Sequence, residues 1–278
     1  IVELGPGDGS LANTLLKTLK KFPEFNSIKN MFLLEKSVFL RKVQRKKISN
    51  KDVKWIDSLN EIKRGPIVFF GNEFFDAIPI KQFKKIKNNI FEKCYTINNS
   101  KKIKEIFNRA SPASVKIIKS YKSLKNLKYM EFPQIGLQEL KKINKKIYKL
   151  GGCILMIDYG YLKPNNQNTL QSVMKHKKNR LLDNLGKADI TAHVNFALLS
   201  EFFKKDGLKV KNVITQKQFL ERMGIVERAQ IISNKMKFRE KSDLYLRLKR
   251  LLGSNYMGDL FKVILAYKFK NNNFPGFK

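Results

Sequence analysis

Cysteine, histidine and acidic side chains are all scarce here: 2, 2 and 23 of them among 278 residues. The cysteines, Cys94 and Cys153, stand far apart, and Cys153 lies in the apolar run CILMI. That spacing excludes a disulfide framework and a metal knuckle and fits two buried thiols in a reducing compartment; no metal site is expected. Long apolar runs are missing too. None approaches the ~18 to 20 residues that a bilayer-spanning helix needs, so no membrane insertion is expected. With so few acids against 57 lysines and arginines, the formal charge is +34. A basic surface draws in phosphates and releases their counterions. The lysines, however, run through every segment, as in KKIKNN, KKINKKIYK and KHKKNR. Charge scattered in this way reads as a solvated surface, and nucleic acid is an unfavoured partner.

What is present is enough for a full core: 42% of residues are hydrophobic, which suits one large domain or two small ones. Short apolar runs alternate with helical patterns, the signature of an α/β fold with a mostly parallel sheet. IVEL, MFLLE, VKWI, IVFFG and CILMIDYG read as strands. Ser10 to Phe22 reads as an amphipathic helix capped by Ser10, VFLRKVQRK as a basic helix, and QELKKINKKIYKL as a helix ended by Gly151-Gly152. Residues 81–130 look like an inserted β-rich subdomain with a turn at Asn88-Asn89. Further helices are expected near Asn195 to Lys205 and Ser242 to Leu252, then a last strand, FKVILAYK, and a frayed tail over 271–278. The first residue, Ile1, already sits in an apolar strand with no initiator methionine, so the chain is expected to be truncated at its start.

The first chemical motif is IVELGPGDGS. Glycines at alternate positions, Gly5, Gly7 and Gly9, let the backbone turn sharply and approach a ligand, and the following helix offers free N–H groups. The spacing is not the dinucleotide fingerprint G-x-G-x-x-G. With Glu3 just ahead of it, G-x-G-x-G suits a ligand whose cationic amine and sulfonium need a carboxylate. Glu35, ending the second strand, is placed to accept both hydroxyls of a ribose. Asp57, after the third strand, is placed to accept from an adenine amino group, or else to cap a helix. The constellation fits S-adenosylmethionine.

A second motif, GNEFFDAIPIKQF, sets Glu73 and Asp76 among phenylalanines after the fourth strand. Acids beside a core either cap a turn or grip a cation. Asp158 and Tyr159, at the end of the fifth strand, are candidates for the same crevice. So are Asp189 and His193, four residues apart in ADITAHVNF, which could share a helix face or a loop turn. His176, in a lysine-rich loop, is given no role.

ELGPGDGSL, FFGNEFFDAIPIKQF, MIDYG, ITAHVNF and GDLFKVILAYK together resemble the MidA-type class I methyltransferases, the family of mitochondrial complex I assembly factor 7. The likeness runs in order from Ile1 to about Lys268. It implies a Rossmann-like, seven-stranded sheet with helices on both faces, one methyltransferase domain over 1–270, and S-adenosylmethionine as cofactor. It also implies a protein substrate, with symmetric dimethylation of an arginine on a respiratory complex I subunit in eukaryotic members. Location would be the mitochondrial matrix in a eukaryote and the cytoplasm in a bacterium. Three departures stand out. The family's N-terminal helices do not precede the first strand, Asp8 replaces an expected arginine, and Asn195 replaces an expected aspartate.

Methyl transfer from a sulfonium is an in-line displacement, so positioning does most of the catalysis. A guanidinium is a planar fork of donors that carboxylates engage well. On this reading Glu73 and Asp76 hold the acceptor, Asn72 adds a contact, and Phe74 helps wall the pocket from water. Two alternatives stay open: a methyltransferase acting on RNA, whose usual Asn/Asp-Pro-Pro-aromatic block is missing, and an assembly factor that keeps the fold without turnover.

Overall fold

The computed structural model describes residues 1–25, 30–48, 53–99, 102–163, 165–175, 177–270 and 273–278. The chain opens with β1 (Val2–Leu4), α1 (Ser10–Leu19), β2 (Met31–Leu34), α2 (Val38–Lys47), β3 (Val53–Ile56) and β4 (Ile67–Asn72). It continues through β5 (Lys81–Ile86), β6 (Asn89–Ile97), β7 (Ile103–Arg109), α3 (Pro112–Ser120), β8 (Tyr129–Phe132), α4 (Gln134–Leu150) and β9 (Gly152–Tyr161). Next come β10 (Gln171–Met174), β11 (Lys177–Asn179), β12 (Asp189–Thr191), β13 (Val194–Asn195) and α5 (Phe196–Lys205). The last part holds β14 (Lys209–Val210), β15 (Ile214–Thr215), α6 (Gln216–Arg222), α7 (Ile225–Ser233), α8 (Phe238–Leu252), α9 (Met257–Leu260) and β16 (Phe261–Lys268). Two compact units result. One takes Ile1–Phe74, Lys142–Asp158 and Leu208–Lys278; the other takes Phe75–Lys141 and Tyr159–Gly207.

The first unit is built on a sheet in the order β14-β16-β9-β4-β1-β2-β3. β1 pairs in parallel with both β2 and β4, β2 with β3, and β4 with β9, whereas β14 and β15 run antiparallel to β16. β1 is buried along its length, with Glu3 as its one charged residue, whereas β2 and β4 are apolar over MFLL and IVFF but alternate buried with partly exposed residues, Val68 being 40% exposed. Ala12 of α1 and Ile48 just past α2 pack with Met31, Leu33 and Val53. The chain leaves β1 to one side for β2 and returns on the other as β4, so the carboxyl ends of β1 and β4 form the switch point where open α/β sheets bind ligands.

Two local expectations are corrected in this unit. Gly9, at φ +78°, is the N-cap of α1, and Ser10 is its first helical residue. The tail is not frayed over its described part: Phe274 and Phe277 pack against Cys153, Leu265 and Tyr267, and Gly276 is buried. Burial of these aromatic side chains offsets part of the backbone freedom the short segment loses.

In the second unit β7-β6-β5-β8 form an antiparallel sheet, and β11-β10-β12 form a smaller one. The β5–β6 hairpin turns at Lys87-Asn88, one residue before the expected position, with Lys87 at φ +52° and Ile86 opposite Asn89. The stretch read as β-rich also holds α3, started by Pro112 and capped by Ser111, whose hydroxyl accepts from Ser114 N at 3.2 Å. Asn195 caps α5, its Oδ1 accepting from Leu198 N at 3.0 Å. Asparagine and aspartate cap about equally well, so the departure noted at this position costs the helix little. No helix among the described residues is long and apolar enough to cross a membrane.

Candidate functional site

In the first unit the glycine turn is tied down by its own backbone. Gly5 N donates to Leu34 O at 3.1 Å, and Gly9 N donates to Pro6 O at 2.9 Å. Gly7, at φ +55°, has nothing within 4 Å of where a Cβ would stand. A side chain there would be strained by its backbone and would fill the open space over the turn. Asp8 does what the expected arginine could not: it accepts from Lys47 Nζ at 2.6 Å and from Ser10 N and Oγ at 2.9 Å each. Those donors, Lys47 first, hold its pKa down at about 2.

Glu3 lies in β1, two residues before this turn begins at Gly5. It is only 3% exposed, and its Oε2 has no hydrogen-bond partner among the described residues. Desolvation lifts its pKa to about 7. Glu35, also buried, follows β2; its Oε1 accepts from Ser37 N at 2.8 Å and its Oε2 from Gln44 Nε2 at 3.3 Å. A carboxylate has about four lone-pair sites, so acceptor capacity remains on both oxygens. Asp57 lies after β3 with an 84% exposed side chain, paired with Arg41 Nη2 at 2.6 Å.

Asn72 ends β4, and Glu73 follows at φ +50°, its N–H donating to Ile157 O at 2.9 Å. A non-glycine residue held left-handed stores backbone strain of order 1 kcal/mol or more, a cost that collects at functional positions. Phe74, expected in a substrate pocket, packs beside the glycine turn, with its Cδ2 3.1 Å from where a Gly5 Cβ would be. Asp158 is buried near the end of β9. Successive strand residues face opposite ways, so Asp158 and Tyr159 do not line one surface together, and β9 runs on to Tyr161.

In the second unit Asp76 is buried and takes a hydrogen bond from the Tyr159 hydroxyl. Desolvation raises the Asp76 pKa, against the opposing pull of that hydroxyl, and the charge of Asp189 raises it further. The His193 ring meets Tyr159 edge to face at 5.4 Å, and Ala192 N donates to Asp76 O at 3.0 Å. The spacing of Asp189 and His193 is not helical: Asp189 opens β12, which pairs with β10. His176 lies outside the described residues. Tyr159, His193 and Asp76 thus form one cluster, and Asp189 acts on it by charge.

Sequence reasoning missed Gln44, Arg41 and Glu131. Gln44 and Arg41 hold the ends of β2 and β3. Glu131, buried in β8, accepts from Gln82 Nε2 at 2.9 Å and Thr169 N at 3.0 Å. The available signal was a polar residue on an apolar stripe: Gln44 lies four positions before buried Ile48 and four after Leu40.

A family model of S-adenosyl-L-methionine-dependent methyltransferases matches residues 1–214. The chain belongs to that family. Among relatives of this MidA-like methyltransferase, the mitochondrial protein arginine methyltransferase NDUFAF7 homologue of Caenorhabditis elegans is 28% identical, over 94% of this chain and 65% of that protein. The mitochondrial protein arginine methyltransferase NDUFAF7 of Danio rerio is 26% identical, over 94% of this chain and 67% of its own length. The chain thus spans about two thirds of these relatives. The fold matches that of a Burkholderia thailandensis protein bound to S-adenosyl-homocysteine, with a TM-score of 0.84, 21% identity, and 99% of this chain and 73% of that one covered. The family's cofactor suits the first unit on three counts. Glu3 has a buried carboxylate oxygen with no hydrogen-bond partner among the described residues, open space lies over Gly7, and Glu35 keeps acceptor capacity.

Proposed function

We propose that this chain transfers methyl groups from S-adenosylmethionine to an arginine side chain of a protein. The observation that carries the reading is Glu3, a buried carboxylate just ahead of a glycine turn with one oxygen unpartnered among the described residues, in a chain of this family. Burying an unpaired acid is costly unless a ligand supplies the counter-charge. The acceptor class is supported by the relatives named protein arginine methyltransferases.

When bound, S-adenosylmethionine supplies a methyl carbon made electrophilic by its sulfonium. Glu3 would face its cationic end, Glu35 would accept from its ribose hydroxyls, and the turn around Gly5, Gly7 and Gly9 would admit it closely. Asp57 is assigned to the adenine end, with Arg41 fixing its carboxylate. Glu73 is assigned to the guanidinium, with Asn72 beside it in the chain. Asp76, whose proton affinity burial raises, is assigned the proton that the acceptor guanidinium would give up. Tyr159 and His193 would hold Asp76 in place.

The finer assignment is symmetric dimethylation of a respiratory complex I subunit, in the mitochondrial matrix if the source is eukaryotic. The test is incubation of the protein with methyl-labelled S-adenosylmethionine and a cell extract, followed by mass spectrometry of the labelled species. Label on an arginine of a protein, lost with Glu73→Gln, is the expected result. Label confined to RNA, or unchanged transfer by the Glu73→Gln variant, would overturn the assignment.

A further inference from the structure

Gln44 is fully buried on α2, and every polar atom of its side chain is used. Its Nε2 donates to the Gly7 carbonyl at 2.7 Å and to Glu35 Oε2 at 3.3 Å, while its Oε1 accepts from Trp55 Nε1 at 2.8 Å. An indole N–H can only donate, so the amide cannot be flipped without losing all three bonds. One side chain thus joins the glycine turn, the acid after β2 and the only tryptophan of the sequence, which lies on β3. Gln44 Cγ also stands 3.2 Å from where a Gly9 Cβ would be, so it sets the height of the turn as well.

We infer that Gln44 is a positioning residue for the cofactor, an inference that rests on the methyltransferase reading. By fixing the Gly7 carbonyl and one oxygen of Glu35 together, it sets the distance between the segment that would pass under the methionine part and the acid that would take the ribose. Because Trp55 shares the same amide, displacement of Gly7 or Glu35 by a ligand reaches the indole through one hydrogen-bonded link. Trp55 is therefore a built-in optical reporter of cofactor binding.

The experiment uses S-adenosylhomocysteine as probe, with calorimetry for affinity and emission excited at a wavelength selective for tryptophan. In the unaltered protein the probe binds and shifts the Trp55 emission. Gln44→Met, close in shape but without the three hydrogen bonds, is expected to bind at least tenfold more weakly, with emission that no longer responds. Gln44→Glu guards against a folding failure in the first variant. It sets a carboxylate against Glu35 and the Gly7 carbonyl, and its affinity relative to the unaltered protein at the same pH should recover as pH falls and that new carboxyl protonates. Trp55→Phe leaves the contacts to Gly7 and Glu35 and should bind within about threefold of the unaltered protein. Normal affinity in Gln44→Met, or equal losses in Gln44→Met and Trp55→Phe, would overturn the positioning role while leaving the methyltransferase reading intact. Failure of the unaltered protein to bind the probe would overturn that reading and the inference with it.

Discussion

Arg41 and Asp57 are joined at 2.6 Å, yet the carboxylate is the least of what Arg41 holds. Its Nε donates to the Glu35 carbonyl at 2.6 Å and its Nη2 to the Ile56 carbonyl at 3.0 Å. The guanidinium therefore clasps the ends of β2 and β3. Asp57→Asn loses an exposed ion pair, worth under about 1 kcal/mol. Arg41→Met should cost more, about 1–3 kcal/mol, because two main-chain acceptors lose a charged donor. Denaturant unfolding of the two variants checks the order.

Gly7→Val should keep the fold and lose the cofactor. The position is at φ +55° with open space around it, so the valine meets a ligand and a backbone penalty rather than the core. The expected result is destabilisation of about 1–2 kcal/mol and no measurable heat of S-adenosylhomocysteine binding.

Glu73 separates backbone strain from chemistry. Glu73→Gly should leave stability unchanged or raise it by up to about 1 kcal/mol, because glycine accepts the left-handed conformation. The same change should abolish methyl transfer. Glu73→Gln, which keeps the strain and removes the charge, should match the original stability and also lose transfer. Thermal melts beside a labelled-methyl assay read both.

Glu3 imposes a pH dependence of known sign. Its folded pKa of about 7 lies above the ordinary 4.5, so the folded state holds the proton longer than the unfolded chain does. Stability from this group is full below pH 4.5, falls as pH rises towards 7, and levels off above it, a loss of up to about 3 kcal/mol. Glu3→Gln should remove that fall. The ammonium of S-adenosylhomocysteine, set against Glu3, favours the ionised form, so binding near pH 6.5 should release a proton, seen by calorimetry in buffers of different ionisation enthalpy.

Tyr159→Phe takes a hydrogen-bond donor from Asp76, whose pKa burial already raises. The carboxyl should then titrate still higher, and the acid limb of the transfer rate should move to higher pH. An unmoved profile would mean that Asp76 does not carry the proton.

The parallel core was legible because its strands are short and almost uniformly apolar and the helices between them keep a clear period. Glu3, Gly7 and Glu35 were legible because acids and glycines beside such strands break that uniformity. Gln44 and Arg41 were not, since a polar residue on a basic helix reads as solvated until the partner strands are placed. The short strands β10 to β13 were missed because two to four residues carry no period. The described part of the tail, 273–278, differs for the opposite reason: its composition looks disordered, but Phe274 and Phe277 pack against Cys153, Leu265 and Tyr267.

The strand order has a consequence for how the chain is made. β4 and β9 lie side by side, with Ile67 opposite Gly152, although more than half of the second unit's sequence separates them. β16, which begins at Phe261, fills the place between β9 and β14. Non-local pairings of this kind close late, since the chain must give up loop entropy before they form. A nascent chain stalled before residue 261 would present the open edge of β9 and the apolar faces of Cys153 and Leu155 to water. During synthesis, that edge is where premature strand pairing with a neighbouring chain would begin.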